Sequence, residues 1–144
     1  MAVQREYDEI RVGDRSSFSK TITEADIFAF CGIAGDFNPI HVDEVYARST
    51  RWGGRIAHGL LVAGMITRTL SAIGGDGAVQ VSQEVSFMAP VHIGDTITVV
   101  SEVAEKIDDK RRMVIASTWT NQDGTTVQTG RAELLLPRPR LTHI

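Results

Sequence analysis

Hydrophobic residues follow a helical period in the first half of the chain. Between Thr23 and Gly35 they recur at helical spacing behind a polar cap and acidic residues, which predicts a helix that ends at Gly35. The segment 58–73 is apolar nearly all round and precedes a glycine-rich run, which predicts a helix buried inside the protein. Cys31 lies among the core positions of the first helix, so we interpret it as a packing residue.

The second half alternates with a period of two and predicts strands. The alternating sets are Val79, Val81, Val85 and Phe87; Ile97, Val99 and Val103; Met113, Ile115 and Trp119; and Ala132, Leu134 and Leu136. Turn residues between these runs, with an early strand near 18–22, predict an antiparallel meander. A helical region followed by consecutive strands is an α+β architecture, in which the sheet packs over the apolar helix.

Composition limits the classes of function. The 144 residues contain no repeat or linker, which predicts a single domain over 1–144 with a short loose tail after about 137. A net charge of −3 lacks the basic excess that binding to a polyanion requires, so we expect no nucleic-acid partner. The longest apolar stretch, 59–66, is far short of the roughly 20 residues of a membrane span.

Cysteine content and the N-terminal sequence indicate the compartment. A single cysteine cannot form an internal disulfide, and the sequence MAVQREYDEI has charges where a signal peptide has its apolar core. Both features favour the reducing cytoplasm.

The segment 35–54 is irregular, because Asn38-Pro39 argues against a continuous helix, and long irregular stretches in compact domains are often functional. It begins Gly-Asp-Phe-Asn-Pro-Ile-His at 35–41, and Ile-Ala-His-Gly follows at 56–59. This pattern, G-D-x-N-P-x-H-x-D and then I-A-H-G before an apolar helix, resembles the hydratase motif of the MaoC-like family of hot-dog-fold proteins. That family includes (R)-specific enoyl-CoA hydratases and 3-hydroxyacyl-thioester dehydratases.

The resemblance implies a hot-dog fold, an antiparallel sheet wrapped around a long central helix, and a hydro-lyase without metal or other cofactor. Its substrates would be a trans-2-enoyl thioester and water, its product the (R)-3-hydroxyacyl thioester, and coenzyme A part of the substrate. It implies that Asp36 and His41 are catalytic and that the Gly59 amide holds the thioester carbonyl. Asn38, in the motif's fixed dipeptide, and Thr67, where some relatives have a serine, would lie at the substrate.

The chemistry of these residue types agrees with that assignment. Hydration needs a base for the water, an acid for the α-carbon and a donor for the charge that develops on the carbonyl oxygen. Asp36 and His41 can share one water, and an amide near a helix N-terminus supplies a fixed donor. Gly59 allows close approach to that backbone. His58 has two interpretations, packing at the helix start or contact with substrate.

A metal site is the alternative for this cluster, since Asp36, His41, Asp43, Glu44 and His58 are ligand types. Their spacing matches no strong metal pattern, so we predict none. The remaining histidines, His92 and His143, have no supporting neighbours and are interpreted as structural or surface residues.

Arginines are concentrated in 45–75, which has no acidic residue. Arg48, Arg51 and Arg55 are candidates for the phosphates of coenzyme A, because arginine suits bidentate phosphate contact. The alternative is a solvated face whose arginines pair with acids elsewhere in the protein.

Two other functions fit the pattern: a hot-dog thioesterase and a non-catalytic acyl-thioester binding module. The thioester carrier is either coenzyme A or an acyl carrier protein. Long alternating strands without edge protection need a partner or a cover, and the resemblance implies a homodimer whose sheets join.

Overall fold

The computed structural model describes residues 6–138. In chain order the elements are β1 (Arg15–Thr21), α1 (Glu24–Ala34), α2 (Pro39–Val42), α3 (Glu44–Arg48), α4 (Gly59–Ala63), α5 (Ile66–Gly74), β2 (Val79–Phe87), β3 (Thr96–Ile107), β4 (Arg112–Thr120) and β5 (Thr126–Leu135), with one-turn 3-10 helices at Tyr7–Glu9 and Asp108–Lys110. The α+β prediction is confirmed. Among these residues, no helix has the length and apolar character needed to span a membrane. The predicted tail beyond 138 and His143 lie outside the described residues.

The sheet has five described strands, all antiparallel, in the order β1-β3-β4-β5-β2. The predicted early strand and the β3-β4-β5 meander are confirmed. The predicted pairing of β2 with β3 is wrong, because β2 pairs with β5 and lies at the sheet edge. The connection 88–95 is no tight hairpin, and its backbone instead bonds to the segment before α4, with the Ala57 N–H donating to the Val91 carbonyl.

Helix α1 begins and ends as predicted. The Thr23 hydroxyl accepts from the Asp26 N–H, and the Asp26 carboxylate accepts from the Thr23 N–H, a capping box. Gly35 ends the helix in the left-handed region, with φ of 74°. Ile27 and Cys31 are fully buried, which confirms the core position of the cysteine.

The predicted helix 58–73 is broken in two. Gly64 and Met65 form a turn between α4 and α5, with short-range bonds such as the Met65 N–H to the Val62 carbonyl. A glycine here weakens the helix at the point of the break. The segment is also less buried than predicted, since Thr67 and Arg68 are exposed on α5.

The segment 35–54 is more ordered than predicted, because it contains α2 and α3. Pro39 occupies the first turn of α2, where its missing N–H would have no helical partner anyway, and the Asn38 side chain caps the helix. Asp43 then caps α3 by accepting from the Tyr46 N–H. The proline therefore starts a helix here rather than preventing one.

Side chains from the sheet hold the broken central helix in place. Trp119 on β4 is fully buried and donates its indole N–H to the Val62 carbonyl at 3.0 Å. A buried chain of hydroxyls connects Thr69 on α5 to Ser101 on β3 and Ser117 on β4, with 2.7 Å between neighbours. These bonds satisfy polar groups within the core and connect α4 and α5 to the sheet.

Candidate active site

A pocket of about 710 Å³ lies at the start of α4. Its walls are mostly apolar and come from α1, the 34–41 segment, residues 51–57, the start of α4, the end of β2, the β2–β3 connection and β5. Its polar side chains are Asp36, His41, Arg51, His58 and Gln128. An apolar pocket with a few convergent polar groups is the usual form of a small-molecule site.

His41, on α2, is buried at the pocket wall. Its Nδ1 lies 2.6 Å from the carbonyl oxygen of Ile56. Because a carbonyl only accepts, Nδ1 carries the proton and donates it. The other nitrogen, Nε2, is then free to accept and lies 3.8 Å from Oδ2 of Asp36.

Asp36 lies in the turn between α1 and α2 and is half exposed. Its Oδ1 accepts from the Asn38 N–H at 3.0 Å, which orients the carboxylate. Its Oδ2 is directed toward the two histidines, 3.8 Å from His41 Nε2 and 3.9 Å from His58 Nε2. Both separations are longer than a direct hydrogen bond.

His58 lies behind this pair, with only 4% of its surface exposed. Its Nε2 donates to the backbone carbonyl of Asp36 at 3.0 Å, so that proton is used within the protein. Its ring stacks on His41 with centroids 3.7 Å apart, and Phe30 packs against it at 4.8 Å. This arrangement favours the packing interpretation of His58.

One group in the described part of the chain brings three metal-ligand types together: Asp36, His41 and His58, with ligand atoms within 4.8 Å. A shared ion would have to lie about 2.1 Å from both imidazole nitrogens and in the plane of both rings. The two rings are stacked, with planes 26° apart, so they point side by side and do not converge on one ion. The arrangement does not fit a metal site.

Gly59 is the first residue of α4, where helix geometry leaves its N–H without an intrahelical partner. A Cβ at this position would lie 2.5 and 2.7 Å from two ring carbons of Phe87. A side chain at this position would require the Phe87 ring to move. The Gly59 carbonyl accepts from the Nε2 of Gln128 at 2.9 Å.

The structure places Arg48 and Arg55 away from the pocket lining and in ion pairs. Arg55 is 14% exposed and bridges Glu24 at 2.8 Å and Glu44 at 3.0 Å, and Arg48 also binds Glu44. These arginines, Arg55 first, lower the pKa of the Glu44 carboxyl, and the hydrogen bond with Glu24 raises the pKa of Arg55. Arg48 and Arg55 therefore match the alternative in which the arginines pair with acidic residues.

Of the remaining candidates, only Arg51 lines the pocket, with its guanidinium 4.2 Å from the centre of the Trp52 ring. Thr67 is exposed on α5, donates to the Gly64 carbonyl and does not line the pocket. The Asn38 side chain caps α2 outside the lining.

Gln128 is a pocket residue that the sequence analysis missed. It is buried on β5, on the same face as Ala132 and Leu134. A polar residue at an inward position of an otherwise apolar strand face was the signal available.

Comparisons with known proteins agree with this architecture. The pattern of the MaoC like domain matches residues 11–124. The chain is 40% identical over 132 residues to an (R)-specific enoyl-CoA hydratase of Rhodospirillum rubrum, covering 91% of each. It is 41% identical to a 3-hydroxybutyryl-CoA dehydratase of Methylorubrum extorquens, covering 92% of this chain and 84% of the relative. The solved (R)-hydratase from A. caviae involved in PHA biosynthesis superposes with a TM-score of 0.86 at 32% identity, covering 89% of this chain and 98% of that one.

The chain therefore belongs to the MaoC-like domain family. The predicted hot-dog fold is confirmed, with the central helix divided into α4 and α5.

Proposed function

We propose that this protein is a hydro-lyase that interconverts a trans-2-enoyl-CoA and water with the (R)-3-hydroxyacyl-CoA. The observation that carries the proposal is the 3.8 Å separation between Asp36 Oδ2 and His41 Nε2 at the pocket, beside the first amide of α4. The names of the hydratase and dehydratase relatives support the same reaction.

In the proposed mechanism one water lies between the two side chains. His41 Nε2 accepts a proton from that water while its oxygen bonds to C3 of the enoyl thioester, and Asp36 accepts the water's other hydrogen bond. The imidazolium then returns a proton to C2, so one water is added in total. The Ile56 carbonyl supports this assignment because it holds the proton of His41 at Nδ1.

The negative charge of the intermediate develops on the thioester carbonyl oxygen. In this proposal the Gly59 N–H binds that oxygen, because an unpaired amide at the start of a helix is a fixed donor. The reaction needs no cofactor, since both proton transfers are made by protein side chains. Coenzyme A enters only as part of the substrate.

Arg51 at the pocket supports a coenzyme A thioester as substrate, with an acyl-carrier-protein thioester as the alternative. We further propose a homodimer, because the edge strand β2 leaves Val79 and Phe87 more than half exposed, at 55% and 57%. The shared hydrophobic core of the described elements supports a single domain. The free, buried Cys31 supports a cytoplasmic location.

The test follows the ultraviolet absorbance of the enoyl thioester with crotonyl-CoA and longer 2-enoyl-CoAs, and then assigns the product's chirality. Loss of absorbance with formation of the (R)-3-hydroxyacyl-CoA is expected. Release of free thiol would identify a thioesterase, and tight binding without turnover would identify a binding module. An S product would also overturn the proposal. Sedimentation at micromolar concentration tests the dimer.

A further inference from the structure

Three cross-strand neighbours form a row across the sheet beneath the start of α4. Phe87 on β2 is paired with Gln128 on β5, and Gln128 is paired with Trp119 on β4. Each of them touches α4. The Phe87 ring lies against the α-carbon of Gly59, Gln128 Nε2 donates to the Gly59 carbonyl at 2.9 Å, and Trp119 donates to the Val62 carbonyl.

The orientation of the Gln128 amide is fixed by chemistry. The Gly59 carbonyl can only accept, so the nitrogen of the amide must face it. The side-chain oxygen is then turned away and is buried without a hydrogen-bond partner among residues 6–138. A buried amide oxygen without a hydrogen-bond partner lowers the stability of the fold. The presence of glutamine at this position therefore indicates that its role is the hydrogen bond to Gly59.

Gly59 needs such a bond more than other residues do. Glycine has the greatest backbone freedom of any residue, and the N–H of the first residue of a helix has no intrahelical partner. The peptide plane that carries the Gly59 N–H also carries the His58 carbonyl, which accepts from the Leu61 and Val62 N–H groups. The Gln128 bond holds the carbonyl on the other side of the Gly59 α-carbon, so these bonds together restrict the φ and ψ of Gly59 and the direction of its N–H.

We infer that Gln128 is a positioning residue, which holds the Gly59 N–H in the orientation that receives the thioester carbonyl oxygen. Gln128 acts through Gly59 and takes no proton in the reaction. This inference rests on the proposed function, in which that N–H stabilises the developing charge. In this way the sheet keeps a flexible glycine aligned with Asp36 and His41.

The first test is Gln128→Met, which keeps an unbranched side chain of similar length and removes the donor. The matched control is Gln83→Met, at an exposed position of β2. We expect kcat to fall about 10- to 100-fold in Gln128→Met, with KM within about 2-fold, because misplacing a group that stabilises the transition state costs that much. The control should retain wild-type values for both. Should Gln128→Met melt too low to assay, Gln128→Leu, which also lacks a donor, replaces it with the same expectation.

The second test reads carbonyl polarisation without turnover. In the Asp36→Asn background, bound 2,4-hexadienoyl-CoA should show a red-shifted absorbance when Gln128 is present. With Gln128→Met added, the ligand should still bind and the shift should shrink by half or more, a result that loss of packing alone would not produce.

Wild-type kcat and a full red shift in Gln128→Met would overturn the inference, as would a rise in KM with kcat unchanged. If instead Asp36→Asn alone retains full activity, the proposed function fails, whatever Gln128→Met does. The two failures are therefore distinguishable.

Discussion

His41 donates its Nδ1 proton to the Ile56 carbonyl across 2.6 Å, and the Ile56 N–H donates to the carbonyl of Ile40. These two bonds connect α2 to the strand-like segment that leads into α4. Gly59 follows three residues after Ile56. The same segment therefore positions both His41, the proposed proton acceptor, and the Gly59 N–H, the proposed donor to the thioester carbonyl. The same bond leaves His41 Nε2 free to face Asp36.

Asp36→Asn and His41→Gln should each lower kcat about 10²- to 10⁴-fold, the usual range for a positioned acid or base. The double variant should be scarcely worse than the worse single variant, since both groups act on one water. Hydration of crotonyl-CoA, followed by absorbance, measures this, with thermal melting to check folding. Asp76→Asn, an exposed acid remote in sequence from the motif, is the control. Folded single variants with near-wild-type rates would contradict the assignment.

Two substitutions of His58 separate its contacts. His58→Phe keeps a ring against His41 and removes the donor to the Asp36 carbonyl, whereas His58→Gln keeps a donor and removes the ring. His58→Phe should lower kcat roughly 2- to 10-fold, the value of one hydrogen bond, whereas His58→Gln, which keeps a donor, should lower it less, and KM should stay unchanged in both. Steady-state kinetics distinguish the interpretations. A raised KM with constant kcat would instead indicate contact with substrate.

Gly59→Ala should lower the free energy of unfolding by about 1–3 kcal/mol, because the added methyl group overlaps the Phe87 ring. Adding Phe87→Leu should restore part of that loss. Urea denaturation measures both. Gly32→Ala is the control, since nothing lies within 4 Å of its Cβ position on α1, and it should be neutral or slightly stabilising. Equal stability of Gly59→Ala and the wild type would argue against the close contact.

Arg51→Gln should raise KM for enoyl-CoA substrates about 2- to 5-fold at low salt, with kcat nearly unchanged. High salt should shrink the difference, because it screens exposed charges. The corresponding N-acetylcysteamine thioester, which lacks the phosphates, should show no change. Arg48→Gln is the matched control, since Arg48 is already paired with Glu44. An unchanged KM in Arg51→Gln would remove phosphate contact from the proposal.

Stability at alkaline pH should depend on Tyr7. Its burial, and then its hydrogen bond to Asp108, raise the pKa of the phenol from its usual value of 10.0 to about 12. Folding therefore favours the neutral phenol, so this contribution is complete below pH 10 and is lost as pH rises toward 12. This contribution to the free energy of unfolding is roughly 2–3 kcal/mol. Between these two pH values, the melting temperature of Tyr7→Phe should fall less steeply with pH than that of the wild type. The melting temperature of Tyr46→Phe, a substitution at a half-exposed position, should fall as steeply as that of the wild type. Parallel curves for Tyr7→Phe and the wild type would contradict this.

The sequence by itself determined the features that depend on neighbours within a few residues. The Thr23 cap and the Gly35 stop of α1 are local interactions, so their residue types were sufficient to predict them. Asp36 and His41 are five positions apart on either side of Asn38-Pro39, and their meeting at one pocket follows from that short separation. The sequence was misleading where a local rule had two outcomes: Pro39 can end a helix or begin one, and here it begins one.

Tertiary structure decided the features for which distant partners compete. Strand β2 could pair with β3 or β5, and its alternation is the same in both arrangements, so only assembly of the whole sheet places it at the edge. Arg55 could bind phosphate or carboxylate, and the fold brings Glu24 of α1 and Glu44 of α3 to it. Gln128 and Gly59 are 69 residues apart, and no local pattern connects them. Their bond exists because the strand row beneath α4 brings a buried donor to an acceptor whose position only the complete fold defines.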